Sequence, residues 1–111
     1  MNSVALTGTL VEDPALREGA DPVRCTMQLA VPRYSRAGRR EPGVVYVSVT
    51  TVGLEARECA ERLRRGDQIG VTGRIAQDKH RTSEGWRAEY SVLIDQLDLP
   101  PEMTTHSKEE R

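Results

Sequence analysis

The segment 23–31 limits the fold of this chain more than any other feature, because a larger apolar side chain recurs at every second position along it. The apolar positions are Val23, Cys25, Met27, Leu29 and Val31, and the polar positions include Arg24, Thr26 and Gln28. A period of two residues is that of a β-strand with one buried face. The segment therefore predicts a half-buried strand, and with it a sheet.

Four more segments predict strands, namely residues 2–12, 44–52, 67–77 and 86–97. The expected core-facing residues are Val45, Val47 and Val49 in the second of these segments, and Ile69, Val71, Ile75, Ala88, Tyr90, Val92 and Ile94 in the last two. Residues 54–65 predict the one helix, with an apolar stripe of Ala56, Cys59, Ala60 and Leu63. Gly66 is placed to cap the C-terminus of this helix.

The other segments have the composition of loops. Residues 32–43 predict a polar loop that carries four arginines, and residues 78–85 predict a charged hairpin with Lys79, His80 and Arg81 near its tip. After the pair Pro100-Pro101 the apolar pattern stops, so residues 100–111 are expected to form a flexible tail. Residues 1–99 would then form a single domain, which is a common size for one.

The order of these elements is strand, strand, strand, helix, strand, strand. Alternation of helices with every strand would indicate a parallel α/β sheet, and this order does not show it. A single helix between strands 3 and 4 is the architecture of the five-stranded OB-fold barrel, an all-β class.

Charge and cysteine content narrow the function. The 111 residues carry a formal net charge of −1, which argues against a protein held to nucleic acid by bulk charge alone, so any basic surface must be local. Cys25 and Cys59 form no CxxC pair, which favours two core thiols in a reducing compartment. The sequence shows neither a signal peptide pattern nor an apolar run of membrane-spanning length, so we expect a cytoplasmic protein, associated with the nucleoid.

Catalytic patterns are missing from the sequence. His80 and His106 lie in the predicted hairpin and tail, the acidic residues are scattered, and no glycine-rich phosphate loop joins a strand to a helix. We therefore expect no enzyme activity, no cofactor and no metal.

Several stretches, taken in order, resemble the bacterial single-stranded DNA-binding proteins. These are MNSVALTGTLVEDPALR at the start, then MQLAVPR, VGLEARECAERLRRGDQIGVTGRI and EGWRAEYSVLIDQL. The resemblance covers residues 1 to about 98. It implies an OB fold that assembles as a homo-oligomer, usually a tetramer, and wraps single-stranded DNA around its sheet and long hairpins.

The chain departs from the family pattern on the binding face. Family members stack bases on aromatic side chains at four positions, where this chain has a tyrosine one residue away (Tyr34), a tyrosine in place (Tyr46), Val52 and His80. Because each base–aromatic stack contributes roughly 1–3 kcal/mol, the two missing stacks predict weaker binding. The chain ends THSKEER, without the family's acidic, aromatic-tipped tail, so recruitment of partners by such a tail is not expected.

The candidate DNA-binding residues follow from these patterns and the resemblance. They are Arg33, Tyr34, Arg36, Arg39 and Arg40 in the arginine-rich loop, Tyr46, Ser48 and Thr50 on the third strand, Arg74 on the fourth, Lys79, His80 and Arg81 in the hairpin, and Trp86. An arginine can pair with phosphate and also stack on a base. The structural alternatives are a solvated charged loop, an ordinary polar sheet face, and a tryptophan that packs across the hairpin.

The sequence therefore predicts sequence-tolerant binding of single-stranded DNA in replication, repair or recombination. The alternative is an oligomeric protein-interaction paralogue, a replication accessory protein with weak DNA binding. The absent aromatics favour the alternative, and the arginine loop favours DNA.

Overall fold

The computed structural model describes residues 1–19 and 21–98. The elements in chain order are β1 (Val4–Leu10), β2 (Ala15–Arg17), β3 (Arg24–Tyr34), β4 (Arg40–Val52), α1 (Leu54–Arg62), β5 (Gln68–Thr82) and β6 (Gly85–Asp98). The predicted tail, residues 100–111, lies outside the described residues.

The strands form one sheet in the order β1-β5-β6-β4-β3-β2, and β1 also pairs with β3. This second pairing, Thr9 with Ala30 and Leu10 with Leu29, closes the five long strands into a barrel. The helix lies between the third and fourth long strands, so the predicted OB-type barrel is confirmed. The sixth strand, β2, was not predicted, because three residues are too few to show a period.

The barrel interior is small and mostly aliphatic. Its buried side chains are Leu10, Cys25, Met27, Leu29, Val49, Ala56, Cys59, Leu63, Ile69, Val71 and Val92. The alternation in residues 23–31 is confirmed, since the three central apolar side chains of that segment are fully buried. The helix packs against β2, β3 and β4 through Ala56 and Cys59.

The helix ends at Arg62, three residues earlier than predicted, because side chains bind the amides that a longer helix would use. The amide of Arg64 donates to the carboxylate of Asp67 at 2.8 Å, and the amide of Arg65 donates to Asp13 at 2.8 Å. Gly66 does not cap the helix. It lies at φ 95° in the turn that follows, where its amide donates to the carbonyl of Leu10.

Two hairpins extend beyond the barrel as two-stranded arms. Residues 32–43, predicted to be a loop, mostly continue β3 and β4, and only residues 35–39 form the turn. The other arm pairs β5 and β6 as far as Thr82 and Gly85. Lys79, His80 and Arg81 are therefore strand residues rather than tip residues.

The arms also correct the predicted core. Val45, Ile75, Ala88 and Tyr90 were expected to face inward, and all four are exposed. Each has the parity of a core residue. Val45, Ala88 and Tyr90 lie in the arms, where a strand is paired only with its hairpin partner, whereas Ile75 lies where β5 leaves the barrel, opposite Val92. Within residues 1–19 and 21–98 no further strand pairs with the arms there, so correct parity does not lead to burial.

Candidate nucleic-acid interface

A groove of about 230 Å³ runs between the outer face of β3 and β4 and the arm formed by β5 and β6. Its lining is polar and comes from Arg17, Arg24, Thr26, Ser48, Thr50, Asp78, Glu89, Tyr90 and Ser91. Two of the predicted site residues, Ser48 and Thr50, thus lie in one groove.

Short hydroxyl side chains form the floor of this groove. Thr26 and Thr50 are directly opposite each other on β3 and β4, and Ser48 is opposite Gln28. Thr50 is only 8% exposed, whereas Thr26 and Ser48 are half-buried. The small side chains leave space above the sheet, and their hydroxyls can both donate and accept hydrogen bonds.

Two arginines form one wall. Arg17 on β2 is directly opposite Arg24 on β3, both are exposed, and neither forms an ion pair with any described residue. The sequence reasoning missed both as site residues. Arg24 could have been found, because it alternates with the core residues of its strand, but Arg17 could not, because β2 was not predicted.

Two tyrosines flank the continuation of the groove. Tyr46 is 68% exposed on β4, as its parity predicted, and Tyr90 is 64% exposed on β6. They line one depression together with Ile75, and this depression shares Ser48 and Ser91 with the groove. Tyr90 was missed, because its parity placed it in the core. Its hydroxyl accepts a hydrogen bond from the side-chain amide of Gln77 at 2.9 Å.

The arginines predicted in the loop after β3 divide into two groups. Arg33 pairs with Glu41 at 3.7 Å, and the guanidinium of Arg40 donates to the main-chain oxygens of Glu41 and Gly43. Arg36 and Arg39 belong to the exposed turn and form no ion pair within the described chain. Tyr34, opposite Arg40 on the arm, is exposed.

The candidates on the β5–β6 arm do not form one cluster. Lys79 and Arg81 share one face with Trp86, while His80 lies on the other face, opposite Arg87. Trp86 is 70% exposed, and the guanidinium of Arg81 lies 5.9 Å from its ring centre. This contact is a cation–π interaction and agrees in part with the packing alternative.

Among the candidates, Arg74 forms the shortest ion pair with another described residue. Its guanidinium lies 2.7 Å from the carboxylate of Asp95 on the neighbouring strand. Arg74 must leave or share this partner before it can pair with a phosphate.

The cysteines lie on the far side of the sheet from the groove, in the core. Burial raises the pKa of both thiols, that of Cys59 to about 12, with the nearby Cys25, Glu55 and Glu58 adding to the increase. Among residues 1–19 and 21–98 no group of histidine, cysteine and carboxylate side chains is arranged to hold a metal ion. Within the same residues, no helix has the length and apolar character needed to cross a membrane.

Known proteins are similar to this chain in sequence or in fold. A single-stranded DNA-binding protein of Clostridium tetani is 33% identical over 97 residues, which are 85% of this chain and 66% of that protein. One from Thermus aquaticus is 34% identical over 102 residues, 89% of this chain and 37% of its own length. The chain thus matches about two thirds of the first protein and a smaller part of the second.

The crystal structure of a small single-stranded DNA-binding protein from Streptomyces coelicolor superimposes with a TM-score of 0.69. The superposition covers 90% of this chain and 94% of that one at 17% identity, so the two share a fold. The model of the single-strand binding protein family matches residues 1–100, nearly the whole chain. The chain belongs to the single-strand binding protein family.

Proposed function

We propose that this protein binds single-stranded DNA with little dependence on sequence, through the groove and the two tyrosines that flank its continuation. The observation that carries the proposal is the position of the aromatic side chains. The sequence has three tyrosines, one tryptophan and no phenylalanine, and all four aromatic rings are exposed. Aromatic rings outside the core favour a ligand with flat faces, and every nucleic-acid base has such a face.

The groove favours a mechanism with three parts. Arg17 and Arg24, which form no ion pair with a described residue, attract phosphates on one wall, and Arg36 and Arg39 extend that attraction along the arm. Bases stack on Tyr46 and Tyr90, each stack contributing roughly 1–3 kcal/mol. The hydroxyls of the floor donate hydrogen bonds to the bases or phosphates above them.

We expect the other predicted DNA contacts to contribute unequally to binding. They are Arg33, Tyr34, Arg40, Arg74, Lys79, His80, Arg81 and Trp86. Arg33 and Arg74 have internal carboxylate partners, so we expect them to contribute less than Arg17, Arg24, Arg36 and Arg39. Tyr34 and Trp86 are exposed rings on the arms and would contact DNA that extends beyond the groove.

We further propose that the protein acts as a homo-oligomer, a tetramer as in the family. β1 pairs with β5 along residues 4–9, but on its other side it pairs with β3 only at Thr9 and Leu10. Residues 4–7 therefore present one open, uncharged strand edge, and such an edge favours pairing with a second chain. Sedimentation velocity at micromolar concentration should give an oligomer, and a monomer would contradict this proposal.

Within the cell, binding of this kind serves replication, repair or recombination, which places the protein on the nucleoid in the cytoplasm. The second candidate function is a protein-interaction paralogue with weak DNA binding. Two observations favour it: Asp78 and Glu89 place negative charge in the groove, and Val52 is exposed where the family has a stacking ring.

Titration of a fluorescent oligo-dT of about 35 nucleotides separates the two candidates. We expect saturable binding that double-stranded DNA does not compete away. The variant Arg17→Gln/Arg24→Gln should bind several-fold more weakly, because it removes the unpaired cationic wall. Arg62→Gln/Arg64→Gln is the matched control, with the same loss of charge outside the groove. No saturable binding by the folded wild-type protein would leave the interaction paralogue as the better candidate.

A further inference from the structure

The two walls of the groove carry opposite charges. Arg17 and Arg24 lie on the wall formed by β2 and β3, and Asp78 and Glu89 lie on the wall formed by the β5–β6 arm. Asp78 and Glu89 are directly opposite each other in the sheet, and neither forms an ion pair with a described residue. Like charges at directly opposed positions destabilise a strand pair, so these two carboxylates lower the stability of the β5–β6 arm.

This arrangement orients any nucleotide that enters the groove. A phosphate is attracted to the arginine wall and repelled from the carboxylate wall, since like charges disfavour each other at short range. The phosphate must therefore lie near Arg17 and Arg24, and the base must point toward Asp78 and Glu89. Ionised carboxylates only accept hydrogen bonds, so the base edge that meets them must donate.

Thr50 points independently to a polar ligand in the same groove. The residue is more than nine-tenths buried and lines the groove, and its hydroxyl forms no hydrogen bond with another described residue. No buried side-chain oxygen or nitrogen among the described residues lacks a partner, so this hydroxyl opens into the groove, where it can donate to or accept from a ligand. A base or phosphate in the groove would supply the partner that this chain does not.

The four bases differ in what they offer to a pair of carboxylates. Guanine presents N1–H and N2–H₂ side by side, so both oxygens of a carboxylate can accept from it. Adenine and cytosine present one amino group beside an acceptor, and thymine presents one N–H between two carbonyl oxygens. Unstacked bases in single strands are recognised on these edges, and acidic side chains accept from base amino groups.

We infer that the groove selects guanine: Arg17 and Arg24 bind the phosphate of one nucleotide, while Asp78 and Glu89 accept from N1–H and N2–H₂ of its base. The inference rests on the proposed binding of single-stranded DNA and adds a base preference to it. Sequence-tolerant binders owe their modest preferences to stacking and strand flexibility. A preference carried by hydrogen bonds to carboxylates is different and can be separated by experiment.

The experiment measures fluorescence anisotropy with three labelled probes of about 25 nucleotides in EDTA. The first is all thymine, the second carries single guanines spaced by thymines so that no quadruplex forms, and the third has inosine at the guanine positions. Inosine keeps the purine ring and N1–H but lacks N2–H₂. We expect the guanine probe to bind about fivefold tighter than the thymine probe, the lower end for base discrimination by a bidentate contact. The inosine probe should lose most of that gain.

The variant Asp78→Asn/Glu89→Gln should abolish the guanine preference, because each amide group offers a donor where guanine also donates. Its affinity for the thymine probe should stay the same or rise, because negative charge near the DNA is removed. Glu61→Gln/Glu84→Gln, which removes the same charge outside the groove, should keep the preference. Thermal melts of both variants confirm that each is folded.

Three outcomes would overturn the inference. The wild-type protein could bind the thymine and guanine probes equally, inosine could match guanine, or the preference could survive Asp78→Asn/Glu89→Gln. Repeating the titrations with Mg²⁺ in place of EDTA adds a fourth test, because a preference seen only with Mg²⁺ would assign the carboxylates to a cation and overturn the inference. If no probe binds at all, the proposed function itself is wrong, and the base preference falls with it.

Discussion

Gly73 lies so close to the main chain of Leu93 that a Cβ added to Gly73 would overlap the carbonyl oxygen of Leu93. Gly73 follows the register shift in β5, at the point where the strand leaves β1 and continues into the arm. The junction between barrel and arm therefore depends on a residue without a side chain.

The first prediction is that Gly73→Ala lowers the free energy of unfolding by about 1–3 kcal/mol or more, since overpacking against a main chain cannot be relieved by a rotamer change. Urea denaturation followed by circular dichroism measures this loss. Gly19→Ala is the matched control, because no described atom beyond its chain neighbours lies within 4 Å of the added Cβ there. Equal stability of the two variants would show that β5 and β6 separate easily at the junction.

The second prediction concerns Tyr46, which is exposed beside the groove. Tyr46→Ala should weaken oligo-dT binding by roughly 1–3 kcal/mol, the contribution of one base stack. Its free energy of unfolding should change by no more than about 0.5 kcal/mol, as for most surface positions. Anisotropy titration and a thermal melt of the same variant measure both. A lowered melting temperature with unchanged DNA affinity would mean that the ring packs and does not stack.

The third prediction concerns salt. Between about 50 and 200 mM salt, the affinity should fall along a log–log line to which each neutralised phosphate contributes about −0.7. Replacing Arg36 and Arg39, or Arg17 and Arg24, with glutamine should make the slope shallower by about 0.7 per arginine. Arg74→Gln should change the slope less, because Arg74 is already paired with Asp95. A slope near zero with tight binding would rule out phosphate pairing as the main attraction.

The fourth prediction concerns the buried thiols. Because burial raises the pKa of Cys25 and brings that of Cys59 to about 12, both should react very slowly with a disulfide reagent near pH 8. In urea both should react quickly. Fast reaction of the native protein would show that the core opens often.

The same shift predicts how stability depends on alkaline pH. The folded pKa of Cys59 lies above the unfolded value of 9.0, so its thiol favours the folded state fully below pH 9. That contribution is lost as the pH rises from 9 toward 12. The melting temperature of the wild-type protein should fall over this range more than that of Cys59→Ala. Parallel pH profiles of the two proteins would contradict the assignment.

The barrel could be predicted from the sequence because, where apolar and polar residues alternate along its strands, neighbouring elements bury the apolar face. β3 lies between β4 on one side and β1 and β2 on the other, so the parity of Met27 and Leu29 also gives their burial. Alternation indicates which side of a strand a residue faces, but it does not indicate whether another element packs against that side. For that reason Val45 and Tyr90, which continue a core parity into the arms, were placed wrongly.

The candidate site could be predicted only in part, for a different reason. Ser48, Thr50 and Tyr46 follow from the parity of one strand. The walls of the groove depend on contacts between distant segments: Arg17 reaches it through a three-residue strand, and Asp78 reaches it because the β5–β6 arm lies over the sheet. No local pattern in the sequence predicts that β2 and the β5–β6 arm meet at this groove.

The surface position of all four aromatic rings also determines what can be observed by spectroscopy. The emission of Trp86 in the free protein should resemble that of tryptophan in water, and unfolding should change it little. A strand of DNA that reaches the β5–β6 arm should instead quench or shift it. In this protein intrinsic fluorescence will therefore follow occupancy by ligand, and the loss of the fold must be followed by the backbone signal.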